Sequence, residues 1–177
     1  TLAEARSRSQ GVFDWYPHDT LGNVVAIEQL VGPEVSQLVE LAGGEPVLDA
    51  GCADGDLAFL LESLGCEVHA IDDPVNNYNA MLGVRALASA LASKVRVEAA
   101  DLDAQFALPS ASYGLALVLG LLYHLKNPFY VMERISRHAR HCLVSTAITD
   151  YVPGLYETVT GTSVTYLADV YEVNRDS

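Results

Sequence analysis

The chain has 177 residues, half of them hydrophobic, which suits one domain with a single core and argues against disorder. Its 10 basic and 23 acidic side chains give a net charge of −13, so long-range repulsion disfavours nucleic acid as a partner. Three cysteines without metal-ligand spacing indicate reduced thiols in a cytoplasmic protein and predict no metal site.

The N-terminal stretch, residues 1–22, is predicted to form a strap or lid beside a domain that spans residues 23–177. Its first ten residues are polar and indicate a frayed helix, and aromatic residues follow around Trp15 and Tyr16. Either these rings pack on the domain or they cover a ligand. No apolar run in the chain approaches the roughly 20 residues of a membrane span, so no membrane partner is expected.

A strand, a glycine turn and a helix form the central pattern. Helices are predicted over residues 24–30 and from Pro33 to the glycine pair at 43–44. An apolar strand then begins at residue 47, passes through Asp49 and enters a turn of small residues that leads into an apolar helix. This order is typical of the first βα unit of a doubly wound sheet, whose turn receives a nucleotide-like ligand.

Two glycines give this turn its chemistry. Gly51 and Gly55 lack a Cβ, so the backbone between them can approach a ligand closely. Asp49, just before the turn, suits a cationic or hydroxyl-bearing ligand. A dinucleotide site would need G-x-G-x-x-G, but Ala53 and Asp56 stand at its second and third glycine positions, which weakens the dinucleotide interpretation.

The second predicted strand, residues 67–71, ends in two acids about 20 residues beyond the turn, where a carboxylate accepts hydrogen bonds from the ribose of an adenosine moiety. Asp72 is the first candidate for this role and Asp73 the second. The alternative is that Asp73 caps the helix predicted over residues 80–92. Dinucleotide enzymes use the same arrangement, so this signal does not distinguish the cofactors.

Three further strands complete a predicted five-stranded parallel core. They cover residues 95–100, 113–119 and 141–146, with a helix between the last two that runs from Pro128 to near Arg140. Beyond the last strand, polar and aromatic side chains at positions 150 and 151 are expected to face the ligand crevice.

The run from Asp49 to Gly55 resembles the first motif of class I S-adenosylmethionine-dependent methyltransferases, acid-x-Gly-x-Gly-x-Gly, with Ala53 in place of the middle glycine. The resemblance covers roughly residues 24–146. It implies a doubly wound, Rossmann-like α/β fold with a mostly parallel sheet and helices on both faces. It also implies S-adenosylmethionine (SAM) as cofactor and S-adenosylhomocysteine (SAH) as product. The sixth and seventh strands of this family are not evident, so a truncated chain or a reduced sheet edge is expected.

The same resemblance assigns the cofactor site. Asp101 would bond the adenine amino group, and Leu102 would pack on the ring, with a plain turn as the alternative for both. The full set of expected cofactor-binding residues is Asp49, Gly51, Cys52, Ala53, Gly55, Asp72, Asp73, Asp101, Leu102 and Leu119.

Residues 119–128 resemble a segment that follows the fourth strand in a subset of these methyltransferases and faces the acceptor. Tyr123 and His124 are therefore the candidate catalytic residues, with His124 orienting or deprotonating the acceptor. A histidine satisfied within the core is the alternative. The residues expected to line the acceptor pocket are Trp15, Tyr16, Asp150 and Tyr151.

The main functional hypothesis is transfer of a methyl group to an oxygen, nitrogen or carbon of a small molecule by in-line displacement. The Tyr123-His124 pair and the stretch 72–79 are similar to bacterial methyltransferases related to the tRNA wobble-uridine carboxymethyltransferase, although the acidic charge argues against tRNA. The same motifs would also suit a non-catalytic nucleotide-binding module or a nicotinamide oxidoreductase. A second copy of the chain, as a homodimer, is a further expected partner.

Overall fold

The computed structural model describes residues 1–8, 12–32 and 34–147. Its five strands are β1 (Val47–Ala50), β2 (Val68–Asp72), β3 (Arg96–Ala99), β4 (Tyr113–Leu119) and β5 (Ala139–Ser145). They form one sheet in the order β3-β2-β1-β4-β5, and every neighbouring pair is parallel. The predicted Rossmann-like parallel sheet is confirmed.

Helices precede and connect the strands. They are α1 (Leu2–Arg8), α2 (Asn23–Val31), α3 (Ser36–Ala42), α4 (Asp56–Ser63), α5 (Leu82–Leu91) and α6 (Pro128–Ser136), with a 3₁₀ turn at Leu122–His124. The prediction that the last helix continues to near Arg140 is wrong. The backbone N–H of His138 closes α6 on the Ile135 carbonyl, and Arg140 lies in β5, where it pairs with Glu45.

Helices lie on both faces of the sheet. Successive residues of a strand point to opposite faces, and alternate residues of β1 and β4 fall into two separate buried clusters. One cluster contains side chains from α1 through α5, including Leu38 and Phe59. The other contains Val131 and Ile135 of α6. The described helices are therefore distributed unevenly, with five on one face and one on the other.

The strand register brings the functional motifs to one edge. Ala50 pairs with Ile71 of β2 and with Val118 of β4, so all three strands end at the same level. The chain order reverses between β1 and β4, which is the switch point where open parallel sheets bind ligands. Among the described residues, no helix is long and apolar enough to cross a membrane.

Candidate active site

The turn between β1 and α4 has glycines at two positions where a side chain would collide with its neighbours. Gly51 and Gly55 have φ values of 75° and 82°, the left-handed region that favours glycine. A Cβ on Gly51 would lie 2.9 Å from Cδ1 of Leu121, and one on Gly55 would lie 2.7 Å from Cγ2 of Val84. The turn therefore packs against α5 and against the segment after β4, and no side chain covers its backbone at the two glycines.

Ala53 occupies the middle of this turn with a φ of 50°. A left-handed conformation costs a residue with a Cβ about 1 to 2 kcal/mol, which gives a physical reason for glycine at this place in the motif. The Ala53 N–H donates to Oδ2 of Asp72 at 2.9 Å. That hydrogen bond ties the turn to the end of β2.

The Asp72 carboxylate lies at the carboxyl end of β2, directly against the glycine turn. Besides the Ala53 N–H, its Oδ2 accepts Nδ2 of Asn77 at 2.9 Å, and its Oδ1 accepts the backbone N–H of Asp73 at 2.8 Å. Burial raises the pKa of Asp72, and these three donors oppose the shift. The result is an oriented carboxylate that retains acceptor capacity at a ligand-binding edge.

Asp49 is the second acid of this edge and the more deeply buried one, with 5% of its surface exposed. Burial raises its pKa to about 7, and the nearby charges of Asp72 and Asp56 act in the same direction. A cation bound beside it would favour the ionised form, since opposite charge lowers a carboxyl pKa. The edge therefore suits a positively charged ligand.

Asp54 and Asp56, which the sequence interpretation left out of the site, fasten the N-terminal stretch to the turn. Asp56 accepts two hydrogen bonds from Nη2 of Arg6, at 2.9 and 2.8 Å, and one from the Thr20 hydroxyl at 3.0 Å. Asp54 accepts the backbone N–H of Tyr16 at 2.9 Å. These contacts hold residues of the predicted strap against the start of α4.

The aromatic residues of this stretch divide between the ligand edge and the core. Burial raises the pKa of Tyr16, as do, to a smaller extent, Tyr123, Asp72 and Asp54, and its ring centroid lies 6.1 Å from that of Tyr78, the neighbour of Asn77 in the sequence. Trp15 packs against the buried cluster beneath α1 to α5, and its ring centroid lies 5.2 Å from Cζ of Arg6. Asp150 and Tyr151 lie outside the described residues.

Tyr123 and His124 form the 3₁₀ turn after β4, with ring centroids 4.2 Å apart. Both side chains are exposed, and partial desolvation lowers the pKa of His124. Leu121, just before them, lies against Gly51. This packing carries the Tyr123-His124 pair to the rim of the glycine turn.

The remaining predicted cofactor residues have other neighbours. Asp73 accepts the Val75 N–H at 2.9 Å within its own turn, and the exposed Asp101 accepts the Asp103 N–H at 2.9 Å. Leu102 is only 3% exposed and belongs to the core cluster of α6. Cys52 is also buried, which raises the pKa of its thiol, and Leu119 packs against the larger cluster.

Asn77 and Asn79 are further residues that the sequence interpretation did not place in the site. Asn77 bonds Asp72, and Nδ2 of Asn79 donates to Oδ1 of Asp54 at 2.8 Å. Their signal was the asparagine-rich stretch 76–79 immediately after the acids of β2. Amides so close to a partly buried carboxylate are suited to orienting it.

Solved structures similar to this chain share its fold. Coclaurine N-methyltransferase bound to N-methylheliamine and SAH is 21% identical with a TM-score of 0.51, and the match covers 76% of this chain and 39% of that one. The N-terminal domain of EvdMO1 with SAH bound is 17% identical with a TM-score of 0.52, covering 78% and 62%. The [4+2]-cyclase SpnF is 17% identical with a TM-score of 0.51, covering 71% and 46%.

The chain spans less than two thirds of each of these three structures. At such identities the likeness shows the fold, and a cyclase among the three illustrates that one fold hosts different reactions. No match to the sequence is found among curated proteins. The family model described as "Methyltransferase domain" matches residues 48–141, more than half of the chain. The chain therefore belongs to the methyltransferase domain family.

Proposed function

We propose that this protein is a SAM-dependent methyltransferase that acts on a small-molecule acceptor. The observation that carries the proposal is the Asp72 carboxylate, which is oriented at the glycine turn and keeps an acceptor position for a ribose hydroxyl. Membership of the methyltransferase domain family supports it, and so does SAH in the solved structures of coclaurine N-methyltransferase and EvdMO1.

The residues around the turn fit this cofactor. Gly51 and Gly55 leave bare backbone where any Cβ would collide with neighbouring side chains. Asp49 and Asp72 provide negative charge, which complements the ammonium and sulfonium groups of SAM. In this proposal Asp72 holds the ribose, and Asp101 and Leu102 contact the adenine. Because the turn at Asp101 is exposed, the adenine contact requires this turn to close over the ring.

When bound, SAM supplies an electrophilic methyl group on a sulfonium. The protein then has little covalent work to do, because holding an acceptor in line and at about 3 to 3.5 Å already contributes several kcal/mol. In this proposal Tyr16 and Tyr123 hold the acceptor at the rim of the turn. Asp150 and Tyr151, which follow β5, remain further candidates.

His124 is the proposed proton acceptor. Partial desolvation lowers its pKa and so favours the neutral imidazole, which is the form that can take a proton from an oxygen or nitrogen acceptor. A small-molecule acceptor agrees with the net charge of −13, which repels a phosphate backbone. Formation of a homodimer stays a prediction.

The test is a screen with methyl-labelled SAM against phenols, amines, activated carbon acids and bulk tRNA. We expect label in at least one small molecule and none in tRNA. On that acceptor, His124→Gln should lower kcat by about 10²- to 10⁴-fold, the usual range for general base catalysis. His141→Gln is the matched control, because His141 lies beside the amino-terminal half of β4 and should leave kcat unchanged.

Two results would overturn parts of this proposal. Unchanged turnover in His124→Gln with SAM binding intact would remove His124 from the mechanism. Transfer of label to tRNA alone would replace the small-molecule acceptor with the alternative of a tRNA-modifying methyltransferase.

A further inference from the structure

Both ends of the Asn77 side-chain amide form hydrogen bonds, and together these bonds fix the orientation of the amide. Its Oδ1 accepts the backbone N–H groups of Asn79, at 3.2 Å, and of Met81, at 2.7 Å. Two backbone donors require the oxygen to face them, so the NH₂ group must face the opposite way. There Nδ2 donates to Oδ2 of Asp72 at 2.9 Å and approaches the Ala53 carbonyl at 3.4 Å.

This arrangement makes the two oxygens of Asp72 unequal. An ionised carboxylate has about four acceptor positions. Oδ2 already accepts both the Ala53 N–H and the Asn77 amide, whereas Oδ1 accepts the Asp73 N–H. Among the described residues, the open position of the carboxylate is therefore on Oδ1. Asn77 also bridges Asp72 to Ala53, the residue of the turn that has a left-handed conformation without being glycine.

We propose that Asn77 is a positioning residue for the cofactor: it locks the Asp72 carboxylate so that only Oδ1 receives a ribose hydroxyl, and one of the two hydroxyls thereby dominates recognition. The inference rests on the proposed ribose-binding role of Asp72. It extends that role, because it predicts an unequal contribution of the 2′ and 3′ hydroxyls and names the residue that causes it.

Removal of the amide should equalise the two hydroxyls. Without Asn77, Oδ2 regains an acceptor position and the carboxylate can turn to receive both ribose groups. The locked geometry is also lost, so we expect SAH affinity to fall about tenfold, the equivalent of one hydrogen bond to a charged group.

The experiment measures the affinities of SAH, 2′-deoxy-SAH and 3′-deoxy-SAH for three chains by calorimetry. In the wild type, one deoxy analogue should bind about tenfold more weakly than the other. In Asn77→Ser, the two should differ by less than about threefold. Serine keeps an oxygen that can accept the Asn79 N–H, so this contact of the loop is retained, but its shorter side chain cannot reach Asp72. Asn76→Ser is the matched control, because the exposed Asn76 side chain bonds Asp73 rather than Asp72, and it should behave as wild type.

The possible results distinguish a failure of the proposed function from a failure of the positioning role of Asn77. If the folded wild type binds no SAH, the proposed function fails. If the wild type binds SAH but both deoxy analogues lose the same affinity, or if Asn77→Ser weakens all three ligands equally, the positioning role is overturned. Should Asn77→Ser not fold, Asn77→Asp preserves the backbone contacts and places a second carboxyl beside Asp72. Unchanged discrimination between the analogues in that variant would likewise overturn the proposal.

Discussion

The two ends of the parallel sheet both contain buried polar side chains, but they use them differently. At the amino end, the Tyr113 hydroxyl accepts the Ser110 N–H at 2.9 Å and lies 3.1 Å from Nδ1 of His69, whose Nε2 lies 3.2 Å from Oε1 of Glu67. Each ring nitrogen of His69 has a partner. This end is a closed hydrogen-bond chain that joins β2 and β4 across β1.

At the carboxyl end, acids gather close to one another. Asp49 and Asp72 have raised pKa values because they are buried, and Arg6 pairs with Asp54 and Asp56 instead. Open acceptor positions and raised carboxyl pKa values are typical of ligand-binding sites, and the carboxyl end is the end proposed to bind the cofactor. Complete pairing is typical of hydrogen-bond networks that stabilise the fold.

The largest effect should come from filling a glycine at the amino end. A Cβ on Gly114 would lie 1.8 Å from the carbonyl oxygen of Ala42, which is backbone and cannot move aside. We expect Gly114→Ala to lower the free energy of unfolding by about 3 kcal/mol or more, as measured by urea denaturation. In Gly51→Ala the contact is the flexible side chain of Leu121, so stability should fall by less. Equal losses would contradict this contrast.

A pH effect on stability should come from the carboxyl end. The pKa of Asp49 is about 7 in the folded chain, above the value of an exposed aspartate, so the folded state binds the proton more tightly. Its stabilising contribution is therefore full below about pH 4 and is lost as the pH rises through about 7. We expect the free energy of unfolding to fall by about 2 to 3 kcal/mol between pH 4.5 and 7.5.

Asp49→Asn provides the control for that measurement, since it removes the titrating group while keeping the shape of the side chain. Its unfolding free energy should vary less with pH over the same interval. Saturating SAM should also flatten the wild-type profile, because a bound cation favours the ionised carboxylate. A wild-type profile that rises with pH from 4.5 to 7.5 would count against the raised pKa of Asp49.

The two neighbouring acids at the carboxyl end of β2, Asp72 within the strand and Asp73 just after it, should differ in their effect on cofactor affinity. Asp72→Ala should weaken SAH binding by about 1 to 3 kcal/mol through loss of a ribose hydrogen bond, measured by calorimetry. Asp73→Ala should change it little, because Asp73 caps its own turn. The reverse ranking would transfer the ribose role to Asp73.

The smallest effect is expected at the strained turn. Ala53→Gly removes the strain of a left-handed alanine and adds flexibility to the unfolded chain, so the two contributions nearly cancel and stability should change by less than about 1 kcal/mol. SAH binding should be retained. Ala53→Val, with a β-branched side chain at the same φ, should be clearly less stable in thermal unfolding.

The sheet and the candidate site at its carboxyl edge could be predicted because their signals are local. Apolar runs specify the strands, and Asp49 and Asp72 follow directly from their positions at strand ends next to a turn of small residues. The C-terminal limit of α6 was missed because the short link of Arg137 and His138 contains no glycine or proline to mark it.

The network around the turn could not be predicted, because its contacts join residues far apart in the sequence. Arg6 and Asp56 are separated by 50 positions, and Tyr16 and Asp54 by 38. No pattern in the sequence says which acid of a crowded edge receives the Arg6 guanidinium. The division of Trp15 and Tyr16 between core and ligand edge likewise depends on how the N-terminal stretch docks.

The most direct test of the central claim is calorimetric titration of the purified chain with SAH, with NADH as the control ligand. If the carboxyl end of the sheet binds a SAM-type cofactor, SAH should bind with micromolar affinity and NADH should not bind. A folded chain that binds neither ligand, or binds NADH alone, would contradict this claim.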